Sequence, residues 1–139
     1  MGTEKKTILF HCAKPNVMVV LKPLVEAQPG WSALCVSHGQ EVIVNAEASL
    51  PEIIVLDLFM GDMSVYDVIE HLKQHPKLSS VPILTYYSPF SNTQDSLALQ
   101  AKMLEVEYLK SMNTHVTEHE YLGPFKSENF IGQIAAHCR

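Results

Sequence analysis

The sequence predicts a three-layer α/β fold built on a parallel sheet, and two observations carry that prediction. Short, mainly apolar runs recur along the chain, and helix-like stretches lie between them. The runs are Thr7 to His11, Ser32 to Ser37, Ile53 to Leu56 and Val81 to Tyr86. Each is brief and rich in aliphatic residues, as strands covered on both faces must be.

Between the runs, Val17, Val20, Leu21 and Leu24 recur at helical spacing, and Pro23 is expected to kink that helix. Gly30 and Gly39 punctuate the second strand. Val65, Val68, Ile69 and Leu72 form a second apolar stripe, with Ser64 and Asp67 placed to cap it and His75-Pro76 to end it. Farther on, Asn92 can cap a long helix in which Leu97, Ala101, Leu104, Tyr108 and Met112 lie near one face. A last strand is expected at Glu120 to Leu122. After the break at Gly123-Pro124-Phe125, Phe130, Ile131 and Ile134 supply the stripe of a final helix, with Ser127 as its cap.

At 139 residues, 47% hydrophobic and 18% charged, the chain suits one domain over residues 1–139 with a single proper core. A formal charge of -5 argues against a nucleic-acid groove, which draws on clustered Lys and Arg. No apolar run approaches the roughly 20 residues of a membrane helix. The three cysteines, Cys12, Cys35 and Cys138, form no CxxC pair and follow no signal-like stretch, so a reducing cytoplasm is the expected setting. Proteins are the expected partners. The segment His115-Val116-Thr117-Glu118-His119 formally matches an HxxEH zinc-protease pattern. Such an enzyme needs a further carboxylate ligand and a cleft, which the 20 remaining residues do not readily supply, so the segment reads as a solvated insertion, with adventitious metal binding the alternative.

Pro51-Glu52-Ile53-Ile54-Val55-Leu56-Asp57-Leu58-Phe59-Met60, then Tyr66-Asp67-Val68-Ile69-Glu70-His71-Leu72-Lys73 and Val81-Pro82-Ile83-Leu84, resemble the centre of bacterial response-regulator receiver domains of the CheY-like superfamily. Tyr121-Leu122-Gly123-Pro124-Phe125 resembles that family's last strand and turn. The resemblance implies a flavodoxin-like (βα)5 sandwich with sheet order 2-1-3-4-5 and an extended region before the last strand. It makes Asp57 the phosphoacceptor-equivalent residue, at the carboxyl end of the third strand, where open α/β sheets place their sites.

Other pocket positions depart from the family pattern. The acidic pair that should hold a divalent cation falls on Cys12 and Ala13, leaving Asp57 and the Phe59 carbonyl to do the work of a whole site. The Ser/Thr position falls on Tyr87, with Thr85 and Ser88 close enough for a register slip to bring in a small hydroxyl. The lysine position falls on Gly123 or is deleted, since this segment is one residue shorter than the family pattern. An alternative alignment puts the last strand at 106–111, with Lys110 as the substitute lysine. The resemblance therefore implies a degenerate receiver, or pseudo-receiver, that works by protein-protein interaction in two-component or phosphorelay signalling. No metal or other cofactor is expected, and the chain is read as no enzyme. The alternative is a phosphorylatable receiver that accepts a phosphoryl group on Asp57 from a histidine kinase. Histidine kinases or downstream effectors are the implied partners. The sequence leaves open the oligomeric state, a homodimer included, and whether the chain belongs to a longer protein.

Overall fold

A computed structural model describes residues 6–12, 15–58, 62–87, 104, 120–124 and 127–136, with 15–17, 87, 120–124 and 127–129 described by their backbone. Five strands, β1 (Lys6–His11), β2 (Trp31–Val36), β3 (Ile53–Asp57), β4 (Ile83–Tyr87) and β5 (Glu120–Pro124), form one sheet in the order β2-β1-β3-β4-β5. Every pairing is parallel. The helices are α1 (Pro15–Glu26), α2 (Gly39–Ser49), α3 (Val65–Gln74) and α4 (Ser127–Ala135).

Alternation along the central strands divides the core in two. Leu9, Ile54, Leu56 and Ile83 pack with Val42, Ile43 and Ala46 of α2 and Val65, Val68, Ile69 and Leu72 of α3. Ile8, Phe10, Ile53, Val55, Leu84 and Tyr86 face the other way, against Leu21 and Val25 of α1 and Phe130 and Ile134 of α4. Burial on both faces explains why β1, β3 and β4 read as continuous apolar runs rather than alternating ones.

Strand boundaries differ from expectation by one or two residues. Val81 and Pro82 precede β4, because Pro82 lacks the N–H that a central strand requires, although its carbonyl accepts from Ile54 N–H at 3.0 Å. The strand beside β4 is Glu120–Pro124, and 106–111 lies outside the described residues. Also outside them is the expected fourth helix, except Leu104, which is helical and 73% exposed.

In α1 the inward residues are Leu21 and Val25, with Val20 38% exposed, so the apolar stripe is rotated from the expected one. The helix runs continuously through Pro23. Pro23 removes the bond to the carbonyl of Val19, a residue 73% exposed, where water can replace it. Helix α3 begins as expected: Ser64 is its N-cap, and the Ser64 hydroxyl accepts from Tyr66 N–H at 3.2 Å.

Helix α2 has no such local signature. Its N-cap, His38, makes no side-chain capping bond. Asp62, remote in sequence, instead accepts from Gly39 N–H at 2.8 Å and Gln40 N–H at 3.0 Å. These two charge-assisted bonds satisfy donors that every helix start leaves open, and they hold the Asp62 carboxyl below the usual carboxylate range. The helix ends at Leu50 in the left-handed region, φ 48°, a position that glycine normally marks.

Phe130 locks α4 onto the sheet. Its ring meets Tyr86 edge-on at 5.3 Å between centroids and lies 6.3 Å from Phe10. Phe130→Ala is expected to lower unfolding free energy by about 3–5 kcal/mol, as a large buried ring is lost and a cavity remains. Val19→Ala on exposed α1 surface should stay within about 0.5 kcal/mol. Urea denaturation of both variants checks the assignment of faces.

Candidate functional site

The carboxyl edge of the sheet gathers Cys12, Asp57 and Tyr86. Asp57 is the last residue of β3 and is fully buried. Register places it opposite Tyr86 of β4, while the preceding Leu56 lies opposite His11 of β1. The site is thus the mouth between β1, β3 and β4. By alternation Asp57 shares the face of Ile53 and Val55, the face to which Cys12 and Tyr86 also belong.

Tyr86 ties the edge together. Its buried hydroxyl donates to the His11 carbonyl oxygen at 3.1 Å, spanning from β4 across β3 to β1. Burial raises the phenol well above its ordinary range, with Cys12 and the negative charge of Asp57 adding to the effect. The phenol therefore stays protonated and serves as a donor.

Cys12 follows β1 directly, and its N–H continues the pairing with β2 by donating to the Val36 carbonyl at 3.0 Å. The side chain is 1% exposed. Its thiol packs in one cluster with Cys35 of β2 and the Tyr86 ring. The Cys35 neighbour and burial push the Cys12 thiol far above the usual thiol range, and Asp57 reinforces them. A neutral thiol and a neutral phenol therefore stand beside Asp57.

His11 occupies the opposite face, with no part of it exposed. Neither ring nitrogen finds a partner in hydrogen-bonding geometry among the described residues. Burial lowers its pKa to about 4, with the His38 ring acting in the same direction and the Asp62 carboxylate and Ser37 backbone opposing it. The ring is a neutral core group at physiological pH.

Thr85 does not approach Asp57. It lies opposite Leu56, one residue before Tyr86, and alternation turns it to the α2 and α3 side, where its buried hydroxyl has no partner among the described residues. Tyr87 and Gly123 are placed by backbone within β4 and β5, while Ala13, Phe59, Ser88 and Lys110 lie outside the described residues. The structure thus brings Asp57 and Cys12 together. Sequence reasoning missed Tyr86, which period-2 alternation from Leu84, combined with the β3–β4 register, would have revealed.

Among the described residues, no group of three His, Cys, Asp or Glu side chains is arranged to hold a metal ion, and no helix is long and apolar enough to cross a membrane. No protein-family model and no curated protein matches the chain. Solved structures do match it. The chemotaxis response regulator CheY4 of Vibrio cholerae superposes with a TM-score of 0.70 at 13% identity, covering 96% of this chain and 98% of that one. The receiver domain of a signal transduction histidine kinase from Syntrophus aciditrophicus gives 0.68 at 20% identity, covering 95% and 89%. The receiver domain of a sensor histidine kinase from Pseudomonas aeruginosa, with magnesium in its active-site cleft, gives 0.67 at 19% identity, covering 95% and 96%. The chain shares the receiver fold with all three.

The buried neutral His11 makes stability depend on pH. Its folded pKa lies below the unfolded value near 6.5, so the unfolded chain binds more protons and stability falls as pH drops through that window. From pH 7.5 to 5 the loss from this group is expected to be about 2 kcal/mol. His11→Leu should flatten that segment of the profile, and denaturant titration at the two pH values checks it.

Proposed function

We propose that the chain is a receiver-type signalling domain that acts by binding partner proteins, with the phosphoryl-transfer chemistry of its pocket lost. One observation carries the reading. Cys12, buried and engaged with Cys35 and Tyr86, stands beside Asp57 where the resemblance calls for a carboxylate.

The Pseudomonas receiver that shares this fold holds magnesium in its cleft. A hard cation of that kind takes an octahedron of oxygen ligands, usually one or two carboxylates with water. Cys12 offers a soft and protonated sulfur already committed to other contacts. The described residues therefore do not fit magnesium. Without it, a phosphoryl group on Asp57 would add negative charge to a buried position flanked by the neutral Cys12 and Tyr86. Ala13, Phe59, Tyr87, Ser88 and Gly123 are the other pocket positions that the resemblance implies; Lys110 belongs to an alignment with the last strand at 106–111, whereas the strand beside β4 is Glu120–Pro124.

The domain works as a binding module rather than an enzyme, with a histidine kinase or a downstream effector as partner. Neither nucleic acid nor membrane is a proposed partner of this domain. Its net charge of -5 and its free thiols, Cys12 and Cys35, suit a cytoplasmic protein-binding role. A second reading, in which Asp57 accepts a phosphoryl group from a histidine kinase, draws on the place of Asp57 at the end of β3 between β1 and β4.

Incubation with phosphoramidate and magnesium is expected to leave the intact mass unchanged. Asp57→Asn should preserve both the fold and partner binding. A stoichiometric, magnesium-dependent gain of one phosphoryl group, lost in Asp57→Asn, favours the second reading instead.

A further inference from the structure

Two thiols are neighbours at the rim of the site, Cys35 within β2 and Cys12 one residue past the end of β1. Register sets Phe10 of β1 opposite Cys35 of β2, so Cys12, two residues on, is the diagonal neighbour of Cys35 on the same face. Both pack into the core under α1 and α4. They differ in access: Cys12 is buried, whereas Cys35 is partly exposed.

We propose that Cys35 and Cys12 form a hydroperoxide-sensitive thiol pair, in which Cys35 is the attacked residue and Cys12 the resolving one, and that the resulting disulfide reshapes the wall of the Asp57 pocket. The chemistry balances with a hydroperoxide as oxidant. The Cys35 sulfur attacks the terminal peroxide oxygen, the O–O bond breaks, and the departing oxygen takes the thiol proton, leaving Cys35 as a sulfenic acid. The Cys12 sulfur then attacks the Cys35 sulfur. An S–S bond forms, and hydroxide leaves with the Cys12 proton as water. Two thiols are oxidised by two electrons, and one hydroperoxide is reduced to an alcohol and water.

Local environment favours this division of roles. The Lys22 charge favours the Cys35 thiolate, against that of Glu26, whereas the Asp57 charge disfavours a thiolate at Cys12. Of the two residues, Cys35 is the one that is partly exposed.

Bond formation has a mechanical consequence. Parallel strands lie about 4.8 Å apart and two residues advance about 6.6 Å, so the Cα atoms of such diagonal neighbours sit about 8 Å apart. A disulfide spans at most about 6.8 Å. Closure must therefore draw the chain after His11 toward β2. That movement separates Cys12 from Asp57 and pulls on the His11 carbonyl, which is bound by the Tyr86 hydroxyl. The inference is independent of whether Asp57 is ever phosphorylated.

The test uses the full chain carrying Cys138→Ser, so that Cys12 and Cys35 are its cysteines. Hydrogen peroxide should abolish both maleimide-reactive thiols of the denatured chain, with a mass loss of two hydrogens, and dithiothreitol should restore them. Amide signals of Cys12, Asp57 and Tyr86 should shift in the oxidised form. With Cys12→Ser added, the same treatment should leave Cys35 as a dimedone-trappable sulfenic acid. Retention of both thiols, after an exposure that fully oxidises free cysteine, overturns the proposal. So does a disulfide that forms between chains alone.

Discussion

A parallel sheet buried on both faces leaves its carboxyl edge as the place where the strands can present polar chemistry. In this chain β1, β3 and β4 obey that constraint closely: Ile8, Leu9, Phe10, Ile53, Ile54, Val55 and Leu56 are all fully buried, and polarity begins at His11, Asp57 and Thr85. Everything of functional interest follows from what stands at those ends. One long-range bond, from the Tyr86 hydroxyl to the His11 carbonyl, links β4 to β1 across β3 at this edge.

The identities at that edge decide its chemistry. A carboxylate acts as a phosphoacceptor when a cation and a lysine offset charge. Beside Asp57 stand a thiol, held neutral by its Cys35 neighbour and by burial, and a phenol held neutral mainly by burial. Proximity of Cys12 and Cys35 adds a reactivity absent from a carboxylate pair, because adjacent thiols can exchange two electrons with an oxidant.

Much of the architecture was legible because it rests on local pattern. The apolar runs located β1 to β4 within one or two residues, Ser64 marked the start of α3, and Phe130 with Ile134 marked the buried stripe of α4. Features set by remote partners were not legible. Helix α2 takes its N-terminal cap from Asp62, and it stops at Leu50 in a conformation that glycine usually signals. The inward face of α1 turned on Leu21 and Val25, since an exposed Val20 looks the same in sequence as a buried one. At the site, Asp57 and Cys12 could be placed together by resemblance. Tyr86 could not, because its role depends on the register between β3 and β4 and on a hydrogen bond spanning 75 positions in sequence.

Loss of the metal site is the claim on which the functional reading turns. Magnesium and beryllofluoride titrated into the isotope-labelled chain, and followed through the amide signals of Cys12, Asp57, Leu58 and Tyr86, test it most directly. No saturable movement of these signals is predicted. A saturable shift centred on Asp57 and abolished by Asp57→Asn would contradict it, and would mean that the pocket assembles a cation site despite the thiol at position 12.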